Sequence, residues 1–145
     1  MTVDIKTLQA TDRKAWEALA RGYKRFYETD IPDSEYAAAW QRLLHDPRFV
    51  GLAAWRGGAI VGIVHALFHA STWADEVCYL QDLFVAEAAR GFGAGAALID
   101  AVAAASRRRG AGRLYWLTHH SNSRARVLYE RMAVNKGFIR YDMAL

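Results

Sequence analysis

The chain is poor in the residues that staple or punctuate a fold. One cysteine, Cys78, stands among 145 residues, so no intrachain disulfide can form and a reducing cytoplasm is the expected home. Only two prolines occur, Pro32 and Pro47, and each falls beside an expected helix boundary. No apolar run approaches the length of a membrane span, and Met1-Thr2-Val3-Asp4-Ile5-Lys6 lacks the basic-then-apolar build of a secretory leader, so no membrane partner is expected. The charge is +4, but the arginines are scattered rather than gathered into an aromatic-interleaved patch, which argues against nucleic acid. The exception, Arg107-Arg108-Arg109, precedes Gly110 where a helix should end, and there it complements the negative helix pole. Metal ligands are also scarce: His65 and His69 share one parity without a neighbouring Cys, Asp or Glu set, so no metal site is expected. His119-His120 reads as a loop, and Cys78 as a buried side chain rather than a nucleophile. With no repeats and no low-complexity linker, residues 1–145 read as one domain.

What the chain does have is concentrated between Val77 and Ala105. A β-branched and aromatic run leads into Arg90-Gly91-Phe92-Gly93-Ala94-Gly95-Ala96, and an alanine-rich segment of helical period follows. Strand, glycine turn and helix make an anion cradle, because the turn aims backbone N–H groups inward and the helix adds its positive end. A P-loop would need Gly-Lys-Ser/Thr where Gly95-Ala96-Ala97 stands, so that reading fails. The loose dinucleotide fingerprint is satisfied, but Tyr115-Trp116-Leu117 occupies the place of its acidic ribose ligand.

Periodicity orders the rest. Val3–Leu8 reads as a strand, and Thr11 or Asp12 caps a helix carrying Trp16, Leu19, Ala20, Tyr23, Phe26 and Tyr27. A second helix follows Pro32 with Tyr36, Trp40, Leu43 and Leu44 on its apolar side. Phe49–Trp55 and Ile60–Phe68 flank Gly57-Gly58 as a hairpin, and a third antiparallel strand is expected over Val77–Val85 after a loop from His69 to Glu76. Leu114–Thr118 is a short strand, Ser123–Met132 a helix, and Phe138–Leu145 a last strand. The order β-α-α-β-β-β-α-β-α-β predicts an α/β fold with a mixed, mainly antiparallel sheet flanked by helices.

The segment Arg90-x-x-Gly93-x-Gly95 after Leu83-Phe84-Val85 resembles the acyl-CoA-binding motif of the GNAT superfamily of N-acetyltransferases. Asn122-x-x-Ala125-x-x-Leu128-Tyr129 with Gly137-Phe138 looks like its closing motif, and the match covers Glu76 to Leu145. Tyr79–Val85 with Arg90–Gly93 is similar to spermidine/spermine acetyltransferases, and Tyr115-Trp116-Leu117 through Gly137-Phe138-Ile139 resembles a group acting on polyamines, histones or D-amino acids. The resemblance implies acetyl-CoA as cofactor and direct transfer to the primary amine of a small polyamine or amino-acid-like molecule in a ternary complex. The pantetheine arm would lie on the backbone of Leu83, Phe84 and Val85, and the pyrophosphate on Arg90, Gly91, Phe92, Gly93, Ala94, Gly95 and Ala96. Asn122 would be a further cofactor contact. Tyr129 would be the general acid, since a phenol can protonate a leaving thiolate. Polyamine acetyltransferases carry glutamate where Gln81 stands, so the base passes to Asp82, with Glu76 or a water relay as alternatives. Tyr27, Glu28, Trp73, Gln81 and Asp82 would border the acceptor. The competing readings are a CoA-binding or interaction module without catalysis, as Gln81 permits, and a protein-lysine acetyltransferase. One strand fewer than in many GNAT domains follows Phe138, and its alternating residues 139–145 predict a homodimer closed through that sheet edge.

Overall fold

The computed structural model describes residues 2–145. Five strands lie in the order in which the chain makes them: β1 (Asp4–Thr7), β2 (Phe49–Arg56), β3 (Ala59–Ser71), β4 (Ala74–Val85) and β5 (Leu114–Tyr115). The first three junctions are antiparallel and only β4 with β5 is parallel, so the sheet is mixed and mainly antiparallel. Gly57 and Gly58 both take positive φ in the two-residue turn from β2 to β3, as a turn matching the twist of its strands requires. Helices α1 (Arg13–Phe26) and α2 (Asp33–His45) enter between β1 and β2, α3 (Ala94–Arg109) follows β4, and α4 (Ser123–Met132) follows β5.

The helices divide between two sheet faces because strand side chains alternate. Ala53 and Ile63 point to one face, where they meet Trp16 and Ala20 of α1 and Tyr36 and Trp40 of α2. Leu52, Ala54, Val64, Ala66, Phe68, Cys78 and Leu80 point to the other, under Leu98, Ile99 and Val102 of α3. Leu128, Tyr129 and Met132 of α4 close the edge of that second core.

Along β4 the register with β3 shifts twice, once near the hairpin end between His69 and Ser71 and once at mid-strand. His65 pairs with Asp82 but Ala66 pairs with Leu80, so Gln81 is an extra, unpaired residue, a β-bulge. Before the bulge Cys78 and Leu80 face α3; after it Leu83 and Val85 do. The bulge therefore turns Asp82 and Phe84 toward α1, whereas an unbroken strand would drive the Asp82 carboxylate into the apolar core beneath α3.

Three boundaries differ from the sequence reading. The segment from His69 to Glu76 is mostly strand, since β3 runs to Ser71 and β4 begins at Ala74; its polar residues mark an exposed hairpin end, not a loop. β5 keeps only Leu114–Tyr115 of the run to Thr118. The last strand, expected from Phe138 to Leu145, joins no ladder among the described residues. Alternation specifies a chain that can pair, but a ladder also needs a neighbouring edge.

Candidate active site

A long backbone edge lies open at the centre of the molecule. β5 pairs with β4 only at Cys78 and Tyr79, so from Leu80 to Val85 that side of β4 has no strand partner. The edge leads through a short 3-10 turn, Glu87–Ala89, to the glycine loop. Gly93 precedes α3 with φ +80, a conformation that strains any residue with a Cβ, and a Cβ placed there would meet nothing within 4 Å. No backbone N–H from Gly91 to Ala96 finds an acceptor among the described residues. These unpaired donors, joined to the positive end of α3, are what a pyrophosphate requires. Arg90 stands half-buried at the start of the loop, while Phe92 is exposed and lies under the guanidinium of Arg56.

Beside this edge lies a carboxylate that the bulge has delivered to the α1 side. Asp82 Oδ2 lies 2.9 Å from His65 Nδ1, and His65 Nε2 accepts a hydrogen bond of 2.8 Å from the Trp16 indole N–H. The His65 and Asp82 side chains are only 14% and 25% exposed, so water screens the pair weakly. Burial alone would push the Asp82 carboxyl up; the His65 hydrogen bond, the facing Tyr23 phenol and nearby Lys24 outweigh it and hold the group below the usual carboxylate range.

Three phenols converge near that carboxylate. Tyr23 is pushed well up, by burial first and then by the charge of Asp82, with Tyr27 and Tyr129 also near enough to act on it. Tyr23 also packs edge-on against Tyr27 and against Phe84. Tyr129 projects from α4, edge-on to Trp116, and its phenol is raised by burial and then by Tyr27. A buried phenol of this kind stays protonated at neutral pH and can serve as a proton donor. Asn122 heads α4 without capping it; its Nδ2 donates to Thr118 Oγ1 at 3.1 Å instead.

Asp82, Tyr27 and Tyr129 are thus brought together, with Leu83, Phe84 and Val85 on the open edge and residues 90–96 in the loop beyond it. Gln81 lies exposed on the bulge, out of register with Asp82. Glu28 follows α1 at φ +53, the one non-glycine residue with positive φ among those described. Trp73 is not brought in: it is 94% exposed at the β3–β4 turn, at the opposite end of β4 from Asp82. Glu76, the alternative base, is held by the Arg109 guanidinium through both carboxylate oxygens near that same far end. Sequence reasoning missed Trp16, Tyr23 and His65. The first two read as core positions of an amphipathic helix, and His65 has no acidic neighbour along the sequence, only the one that strand pairing supplies. The parity break at Gln81 was the available signal, since an acid cannot follow Cys78 and Leu80 on an apolar face.

Comparison with known proteins agrees with this geometry. Residues 16–133 match the model of the acetyltransferase (GNAT) family. The D-amino-acid N-acetyltransferase HPA3 of Saccharomyces cerevisiae is 32% identical over 94% of this chain and 88% of its own length. Among solved structures, a ribosomal-protein-alanine N-acetyltransferase from Brucella melitensis superposes with a TM-score of 0.84 at 25% identity, covering 100% of both chains. The aminoglycoside acetyltransferase AAC(6')-Iy, in complex with a CoA-based bisubstrate analogue, superposes at 0.87 over 100% of both chains with 18% identity, a likeness of fold.

Proposed function

Since the chain belongs to the acetyltransferase (GNAT) family and is an acetyl-CoA-dependent N-acetyltransferase, we propose that it acetylates the primary amine of a small polyamine or amino-acid-like molecule by direct transfer. One observation carries the acceptor reading: an ionised, half-buried carboxylate, Asp82, stands with Tyr23 and Tyr27 beside the open edge of β4. A carboxylate with tyrosines close by suits an alkylammonium group, which can gain both ion pairing and cation–π attraction there.

Bound acetyl-CoA supplies a thioester-activated acetyl group. The backbone of Leu83, Phe84 and Val85 holds the pantetheine arm, and the free amides of residues 91–96, with Arg90, hold the pyrophosphate. Asn122 borders the same arm from the head of α4. Asp82 orients the amine; because its carboxyl lies below the ordinary range, it is a weak proton acceptor, and the amine proton passes to water. The Tyr129 hydroxyl donates the proton that the departing sulfur needs, and burial keeps that hydroxyl protonated until then. Thiol release with acetyl-CoA and a panel of polyamines, D- and L-amino acids and aminoglycosides tests the proposal. Turnover on a primary amine supports it; acetyl-CoA binding without thiol release from any of them would make the chain a non-catalytic binding module.

The working unit is proposed to be a homodimer. Ile139, Tyr141, Met143 and Leu145 form an extended stripe at period 2, each 73% exposed or more. A groove of about 330 Å³ runs beside β5 between α3 and the end of α4, bordered by Ile99, Leu114, Trp116 and Met132. The groove and the stripe belong to one chain, so two copies each supply what the other leaves uncovered.

A further inference from the structure

We propose that Trp16 and His65 are positioning residues for Asp82: the indole N–H fixes the imidazole as its Nδ1–H tautomer, and that N–H holds the carboxylate toward the acceptor amine. The inference rests on the acceptor reading given above for its consequence in turnover, but not for its chemistry. Trp16 Nε1 can only donate, so the His65 Nε2 that it meets at 2.8 Å must carry a lone pair. A neutral ring then has its one proton on Nδ1, the nitrogen 2.9 Å from Asp82 Oδ2. A second proton on Nε2 would set two donors against each other in a nearly dry site. The indole therefore does for His65 what a carbonyl or carboxylate does for many functional histidines, but from the opposite nitrogen and with opposite sense.

The consequence for Asp82 is directional. Oδ2 is engaged by the ring, and although the Tyr23 phenol faces the carboxylate, no other side-chain hydrogen bond of comparable length reaches it among the described residues, which leaves Oδ1 to receive an ammonium. Trp16 is held by its surroundings: it is 1% exposed and packs at a tilt of 37° against Trp40, ring centroids 4.9 Å apart. The orientation is thus transmitted from the α1–α2 core, through an imidazole, to the open edge of β4. The titratable and charged groups that face the carboxylate are His65 from β3, Tyr23 and Lys24 from α1, and Tyr79 from its own strand. Of these, His65 alone bridges it to the core.

Two measurements test the proposal. The ¹⁵N shifts of both His65 ring nitrogens in the resting protein report the tautomer without any substrate. They should show a protonated Nδ1 and a bare Nε2; an Nε2–H ring overturns the proposal even if the enzyme is active. In turnover, His65→Leu removes the donor while keeping bulk. The acceptor KM should rise about tenfold or more while the acetyl-CoA KM stays within about twofold, and the acid limb of kcat/KM should move to higher pH. His65→Asn can present an amide N–H near the place of Nδ1 and should recover much of the loss. Trp16→Phe, which keeps a ring and drops the N–H, should shift the same limb. A folded His65→Leu enzyme with an unmoved acid limb and equal changes in both KM values would show that His65 merely packs. If no amine is acetylated by the wild type, the acceptor reading fails, and the ring-nitrogen shifts still decide the tautomer.

Discussion

Removing the Tyr129 hydroxyl separates proton donation from binding. Tyr129→Phe keeps the edge-on contact with Trp116, so acetyl-CoA affinity should hold within about twofold while kcat falls tenfold or more; calorimetry beside steady-state assays reads both, and an unchanged kcat would take Tyr129 out of the chemistry. Asp82 makes a prediction in acid. Its folded carboxyl lies below the ordinary 3.8, so its contribution to stability is complete above that value and is lost as pH falls through the lowered one. Asp82→Asn should therefore flatten the decline of urea-unfolding stability below about pH 4, where wild type loses this contribution. An equally steep decline would mean that other carboxylates govern acid unfolding. At this scale the sequence was uneven. Tyr129 and Asp82 could be picked out because short motifs carry them, whereas His65 and Trp16 acquire meaning only from a pairing across 17 residues and another across 49.

Elements were legible where one local signal sufficed. The Gly57-Gly58 turn, the periodic faces of α1 and α2, and the glycine loop before α3 all follow from neighbouring residues. The end of α1 is less ordinary. Thr29 N donates to Lys24 O and Glu28 N to Arg25 O, the paired bonds of a Schellman cap, in which the left-handed position favours glycine. Here that position is Glu28 at φ +53. A carboxylate kept at such a cost, beside Tyr27, fits a role at the acceptor mouth. Glu28→Gly should stabilise the protein by up to about 1 kcal/mol and raise the KM of a cationic acceptor. Thermal melts and initial rates check the two effects, and a lower melting temperature would count against the strain argument. The boundaries of β5 and of residues 138–145 were not legible, because alternation cannot say which edge a strand meets.

On the scale of the whole molecule, the exposed stripe at residues 139–145 and the groove beside β5 should make the native protein a dimer by light scattering at tens of micromolar. Removing residues 141–145 should leave a folded monomer, and an unchanged dimer would place the interface elsewhere. No helix among the described residues is long and apolar enough to cross a membrane. The bulge at Gln81 reaches furthest. It sits between the apolar anchors Cys78 and Leu80 and the stretch proposed above to serve both substrates, and it sets which side chains face α1 there. Substitutions of Gln81 can be absorbed, since its side chain faces solvent and its backbone is unpaired with β3. A change of register cannot. Pairing Gln81 with His65 in an unbroken ladder would send Asp82 and Phe84 under α3 and bring Leu83 and Val85 out toward α1, whereas deleting Gln81 would keep Leu80 opposite Ala66 and Asp82 opposite His65 and merely straighten the strand.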